Sequence, residues 1–104
     1  MSRDRSQQRK ADQKLQRILD ARERLFQLGP GGSPENPIVL GSASLVESRA
    51  TSTPCPRCDE PGLRVEEHTA ETVGGVRLRT VRVRCSRCGS ERRLWFKLAS
   101  LLAN

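Results

Sequence analysis

Apolar residues return at helical intervals through the first quarter of the chain. Ala11, Leu15, Ile18, Leu19, Leu25 and Phe26 fall on one stripe, broken by Arg22. The spacing predicts a helix over 4–28, capped by Ser2 or Ser6 and supported by an Asp20–Arg24 pair. Gly29 suits the left-handed position after a helix and Pro30 cannot continue one, so the helix ends there. A lone helix of this length is marginal in water. Leu15, Ile18, Leu19, Leu25 and Phe26 therefore need cover from the same domain, a second copy or a partner. "GPGGSPENP", 29–37, has the composition of a linker. "IVLGSASLVES", 38–48, alternates irregularly. Ile38–Leu40 and Leu45–Val46 read as two short strands or as one extended segment.

The period shortens to two in the second half. "LRVEEHTAETV", 63–73, and "VRLRTVRVRC", 76–85, flank Gly74-Gly75 and predict a two-residue β-hairpin. In that register Glu67 faces Arg82, a favourable cross-strand pair, and Arg64 faces Cys85. The apolar phase changes between Val76/Leu78 and Val81/Val83, which a bulge near Thr80 would absorb. "RRLWFKL", 92–98, adds a third strand with Leu94, Phe96 and Leu98 on one face. Its continuation "ASLLAN" also fits a short helix. The expected fold class is small α+β: an amphipathic helix in 1–29, a linker or extended segment in 30–50, and a three-stranded antiparallel unit in 51–104.

Only four cysteines occur, as Cys55-x-x-Cys58 and Cys85-x-x-Cys88. Folding at Gly74-Gly75 brings both pairs to one end of the hairpin, where the two-residue spacers let all four sulfurs point at one ion. Two disulfides or two redox pairs are the rival readings. The redox reading lacks the βαβ setting it needs, and an N-terminus without an apolar core argues for the reducing cytoplasm. Iron in a rubredoxin-like site has similar spacing, but such proteins are typically acidic and aromatic, and this chain has no Tyr.

The pattern Cys55-Pro56-Arg57-Cys58 with Cys85-Ser86-Arg87-Cys88-Gly89 resembles the zinc-ribbon family over residues 51–98. The resemblance implies one Zn2+ per chain, bound by Cys55, Cys58, Cys85 and Cys88. It departs from the family where Asp59 replaces the glycine that follows a knuckle. His68, the one histidine, is expected on the hairpin surface, since four thiolates already complete a tetrahedral shell. A filled shell leaves no position for a reacting water. No Ser/His/Asp set or phosphate loop stands out either, so a non-enzyme is expected.

Composition then narrows the partners. The chain of 104 residues carries a formal charge of +7. Four zinc-bound thiolates would lower this to about +5, which still favours anionic partners. Two functions follow. One is an adaptor or regulatory module whose helix binds a protein partner or self-associates. The other is a nucleic-acid-binding ribbon, transcription- or ribosome-associated, using Arg57, Arg87, Arg92, Arg93 and Lys97 with Trp95 stacking on a base. Trp95 serves equally as a cap on a small core. No membrane span and no small-molecule site are expected.

Overall fold

The computed structural model describes residues 2–99. Helix α1 runs Ser2–Leu28 and is followed by strand β1, Ile38–Leu40. A 3-10 turn at Ala43–Leu45 leads into helix α2, Val46–Ser52. Strands β2, Leu63–Val73, β3, Val76–Cys85, and β4, Glu91–Leu98, complete the fold. It is a small α+β arrangement built on a four-stranded sheet of order β1-β4-β3-β2. The β2–β3 and β3–β4 pairings are antiparallel, as expected. Of the two readings of Ile38–Leu40, the short strand holds, but it joins the same sheet, parallel to Phe96–Leu98, so the sheet is four-stranded and mixed rather than three-stranded and antiparallel. Among the described residues no helix is long and apolar enough to cross a membrane.

Alternation along β4 places Leu94 and Phe96 inward, both fully buried. With Val81, Val83 and Leu63 they form the sheet's half of the core, and Val46 and Ala50 of α2 cover it. Each large aliphatic or aromatic side chain buried here contributes about 1.5–3 kcal/mol. Leu45–Val46 is thus not a strand. Ser42 caps the 3-10 turn by accepting from the Ser44 amide, and Val46 opens a helix whose apolar residues the sheet requires. The "ASLLAN" alternative lies outside the described residues apart from Ala99, which follows β4 without regular structure.

The hairpin turns at Gly74-Gly75 and pairs Glu67 with Arg82, as read from the sequence. The bulge is displaced, however. The register shifts between Val65 and Glu67 on β2, not near Thr80, so Cys85 faces Leu63 instead of Arg64. The apolar phase change in β3 has another cause. Leu78 and Thr80 are buried on the outer face of the sheet, and Val81 and Val83 on the inner one, with no break in the strand.

Helix α1 stands away from this body. Every side chain from Arg5 to Ile18 is exposed, and the molecule measures 68 Å along its longest axis. Attachment begins at Leu19. Phe26 packs against the core, while Glu23 and Asp20 reach Arg92 and Arg57. Asp20 also accepts from Gln16, so the Asp20–Arg24 pair is not formed, and Ser6 lies inside the helix instead of capping it. Gly29 closes the helix through hydrogen bonds to Leu25 and Phe26, but the first left-handed residue is Gly31. The turn that follows is folded against the domain. Gly31 accepts from the Trp95 amide at 2.9 Å, and a Cβ on Gly32 would lie 2.1 Å from the Phe26 carbonyl oxygen.

Candidate metal centre

Two turns of the same design present the cysteines. In the first, the Cys55 amide donates to Glu60 at 3.0 Å and the Asp59 amide to Cys55 at 2.7 Å. In the second, the Cys85 amide donates to Ser90 at 2.9 Å and the Gly89 amide to Cys85 at 3.0 Å. The residue after each pair must turn left-handed, and it does: φ is +60° at Asp59 and +74° at Gly89. Aspartate tolerates that region better than most residues, so the turn forms at Asp59 as it does at Gly89. The Ser86 amide donates to the Gly62 carbonyl at 3.1 Å and ties the turns together.

The four sulfurs lie within 4.8 Å of one another and none is in a disulfide. Cys55 Sγ and Cys88 Sγ are 3.6 Å apart, Cys58 Sγ and Cys85 Sγ 3.5 Å. A tetrahedral site with zinc–sulfur bonds of about 2.3 Å requires sulfur edges of about 3.8 Å, so the cluster fits one metal ion. Its electrostatics agree. Burial would push the Cys55 thiol up, but hydrogen bonds from Ser90 and the Cys58 and Arg57 amides outweigh it and bring it down to about 6. The Cys88 and Arg87 amides hold Cys85 below the ordinary thiol range against its burial. Cys58 moves the other way, to about 12, through burial and the neighbouring Cys85 and Cys55 sulfurs. The protein alone thus favours the thiolate of Cys55 and lowers Cys85, and a cation at the centre of the cluster would favour the ionised form of Cys58 beside them.

Around the sulfurs lies a shell that the cysteine spacing did not disclose. Ser90 Oγ sits 3.0 Å from Cys88 Sγ and 3.6 Å from Cys55 Sγ. Arg92, only 8 % exposed, donates from Nη1 to Cys55 Sγ at 3.4 Å and from Nη2 to Ser90 Oγ at 3.1 Å. Its Nε and Nη2 grip the Glu23 carboxylate of α1 at 3.4 and 3.0 Å, and its guanidinium lies 5.6 Å from the centre of the Phe26 ring. Burial opposes the charge on Arg92, but Glu23 and Cys55 more than offset it. One signal for this placement was present: Arg92 shares the parity of Leu94, Phe96 and Leu98 and therefore points to the core side.

The six residues considered for nucleic acid do not form one surface. Arg57 and Arg87 stand on the two cysteine turns, facing Asp20 at 3.8 Å and Glu60 at 3.3 Å. Arg92 turns inward. Arg93, Trp95 and Lys97 share the outer sheet face, where Arg93 faces Glu71 at 3.8 Å and Trp95 is half-buried opposite Thr80. The helix stripe divides as well. Leu19 and Phe26 are half-buried, whereas Leu15, Ile18 and Leu25 are exposed, joined by Leu28. His68 is not a surface residue of the hairpin. It sits on the inner face of β2 beneath α2, with Nδ1 3.0 Å from Glu47 Oε2 and Nε2 buried. Comparison with protein-family models, with curated proteins and with solved structures found no match for the chain.

Proposed function

We propose that the chain is a zinc-binding, non-enzymatic module that presents α1 to another protein. The observation that carries the docking role is the exposure of Leu15, Ile18, Leu25 and Leu28, between 43 and 72 %, on a helix anchored only near its C-terminal end. Four such residues on one stripe of a projecting helix serve a packing surface that the monomer does not supply. Zinc is the metal that four thiolates in a tetrahedron suit best, and as a closed structural site it leaves no position for water. The ribbon is then a rigid base and α1 the element offered. A protein partner is favoured over nucleic acid because Arg57, Arg87, Arg92 and Arg93 each face a carboxylate within 3.8 Å. The cytoplasm, where thiols stay reduced, suits such a centre.

Elemental analysis of freshly purified protein should give one zinc per chain. Sedimentation and cross-linking in the native cell, with wild type and a Leu15→Asp/Leu25→Asp variant, test the docking role. Assemblies present in wild type and lost in the variant support it. Identical cross-links in both would overturn it.

A further inference from the structure

We infer that Arg92 is an outer-shell partner of the metal centre that also sets the pose of α1, so that one guanidinium links the metal to the docking helix. This rests on the zinc and docking reading above and specifies how the two halves of that reading communicate. A guanidinium offers five N–H donors in a fixed plane, and here they are divided among three elements. Nη1 meets a sulfur of the first cysteine turn, Nη2 meets the Ser90 hydroxyl of the second, and the Nε/Nη2 edge takes both oxygens of Glu23. Phe26, one helical turn after Glu23, covers the guanidinium face. Because the fork is planar, fixing its contacts to Cys55 and Ser90 also fixes the direction in which it holds Glu23.

Charge gives the arrangement its sense. Four thiolates around Zn2+ carry about −2, and Glu23 adds a further negative charge nearby. Among the described residues, Arg92 is the one cation in hydrogen-bonding contact with both. An N–H donated to a metal-bound sulfur withdraws electron density from it, which tunes the metal–sulfur bond and stabilises the anionic centre. The same residue therefore has two measurable consequences, one at the metal and one at the helix, and a plain helix-to-sheet tie would have only the second.

The experiment uses the full chain loaded with zinc or cobalt(II), as wild type, Arg92→Met, Arg92→Lys and Glu23→Gln. The readouts are zinc affinity by chelator competition, the cobalt–thiolate charge-transfer bands, and 15N relaxation of α1 relative to the sheet. Arg92→Met should weaken zinc binding about 10–100-fold, shift the cobalt bands and let α1 tumble independently. Glu23→Gln should release α1 and leave the cobalt bands in place. Arg92→Lys should recover part of the zinc affinity but, lacking the fork, leave α1 loose. Unshifted cobalt bands in either Arg92 variant would reduce Arg92 to a structural tie and overturn the inference. An α1 that stays docked in Glu23→Gln would overturn it too, since Phe26 and Leu19 would then suffice. Should Arg92→Met not fold, Arg92→Lys decides the metal arm and Glu23→Gln the helix arm. A wild-type protein without tetrahedral cobalt spectra would instead refute the metal assignment itself. No partner is needed, so failure of the docking role is scored separately.

Discussion

Glu47 of α2 and His68 of β2 meet at 3.0 Å, and through them the short helix is tied to the strand it covers. The other ring nitrogen of His68 is buried without a partner among the described residues, and the imidazole ties α2 to β2 outside the cluster of four sulfurs. His68→Ala should lower stability by about 1–2 kcal/mol through lost packing and one lost hydrogen bond. Zinc stoichiometry should not change. Denaturant unfolding and metal analysis of the same sample check both parts, and loss of metal would make His68 a participant in the centre.

Asp59 and Gly89 occupy equivalent left-handed positions, but only one of them is glycine. A Cβ at Gly89 would meet nothing within 4 Å, so the cost of Gly89→Ala is conformational alone, about 1–2 kcal/mol. The reciprocal change, Asp59→Gly, should be neutral or stabilise by up to about 1 kcal/mol. Opposite signs in chelator-competition and thermal-unfolding measurements would confirm that the two turns carry the same constraint. Equal losses at both positions would mean that the Asp59 side chain has a role of its own.

Removing the metal should unfold the sheet. A body this small has little stability to spare, and structural zinc supplies on the order of 10 kcal/mol in small modules. Cys88→Ser should resemble chelated protein, since one lost thiolate opens the shell. Acid acts in the same direction. Cys55 is held down to about 6 from an ordinary 9.0, so its contribution is full above the unfolded value and is lost as pH falls through about 6. Metal competes with protons for the same sulfur and shifts release to lower pH still. Amide dispersion of β2–β4 in NMR spectra, followed through chelation and acid titration, measures both. A sheet that keeps its native spectrum without metal would show that it does not need the staple.

The cysteine cluster and most of the hairpin were legible because their signals are local. Paired Cys-x-x-Cys spacings, Gly74-Gly75 and the Glu67–Arg82 complement need no knowledge of the rest of the chain. The bulge was misplaced because an apolar phase change has two solutions. The strand can slip, or both faces can be buried in turn, and Leu78 with Thr80 takes the second course. Helix α2 was missed because "VESRATS" has weak intrinsic helix preference; burial of Val46 and Ala50 on the sheet decides it. Strand β1 was one of two readings of Ile38–Leu40, but three residues are too short for a period to show which strand it would pair with. Arg92 was read by its charge, when its parity along β4 already assigned it inward.

The stripe on α1 has two halves with different predicted behaviour. Phe26 is packed against the core and lies under the Arg92 guanidinium, so Phe26→Ala should cost about 1–2 kcal/mol and loosen the helix base. Leu15 and Leu25 are 53 % and 70 % exposed, and aspartate there meets water in the monomer. Leu15→Asp/Leu25→Asp should therefore leave monomer stability within about 0.5 kcal/mol per site, yet abolish association through α1. Denaturant unfolding at low concentration gives the first quantity, and sedimentation with cross-linking gives the second. The dissociation is the point of the test, because a side chain that matters to binding and not to folding belongs to an interface. A stability loss in Leu15→Asp/Leu25→Asp as large as in Phe26→Ala would mean that the monomer itself covers these residues. Unchanged association would mean that the exposed leucines serve no partner.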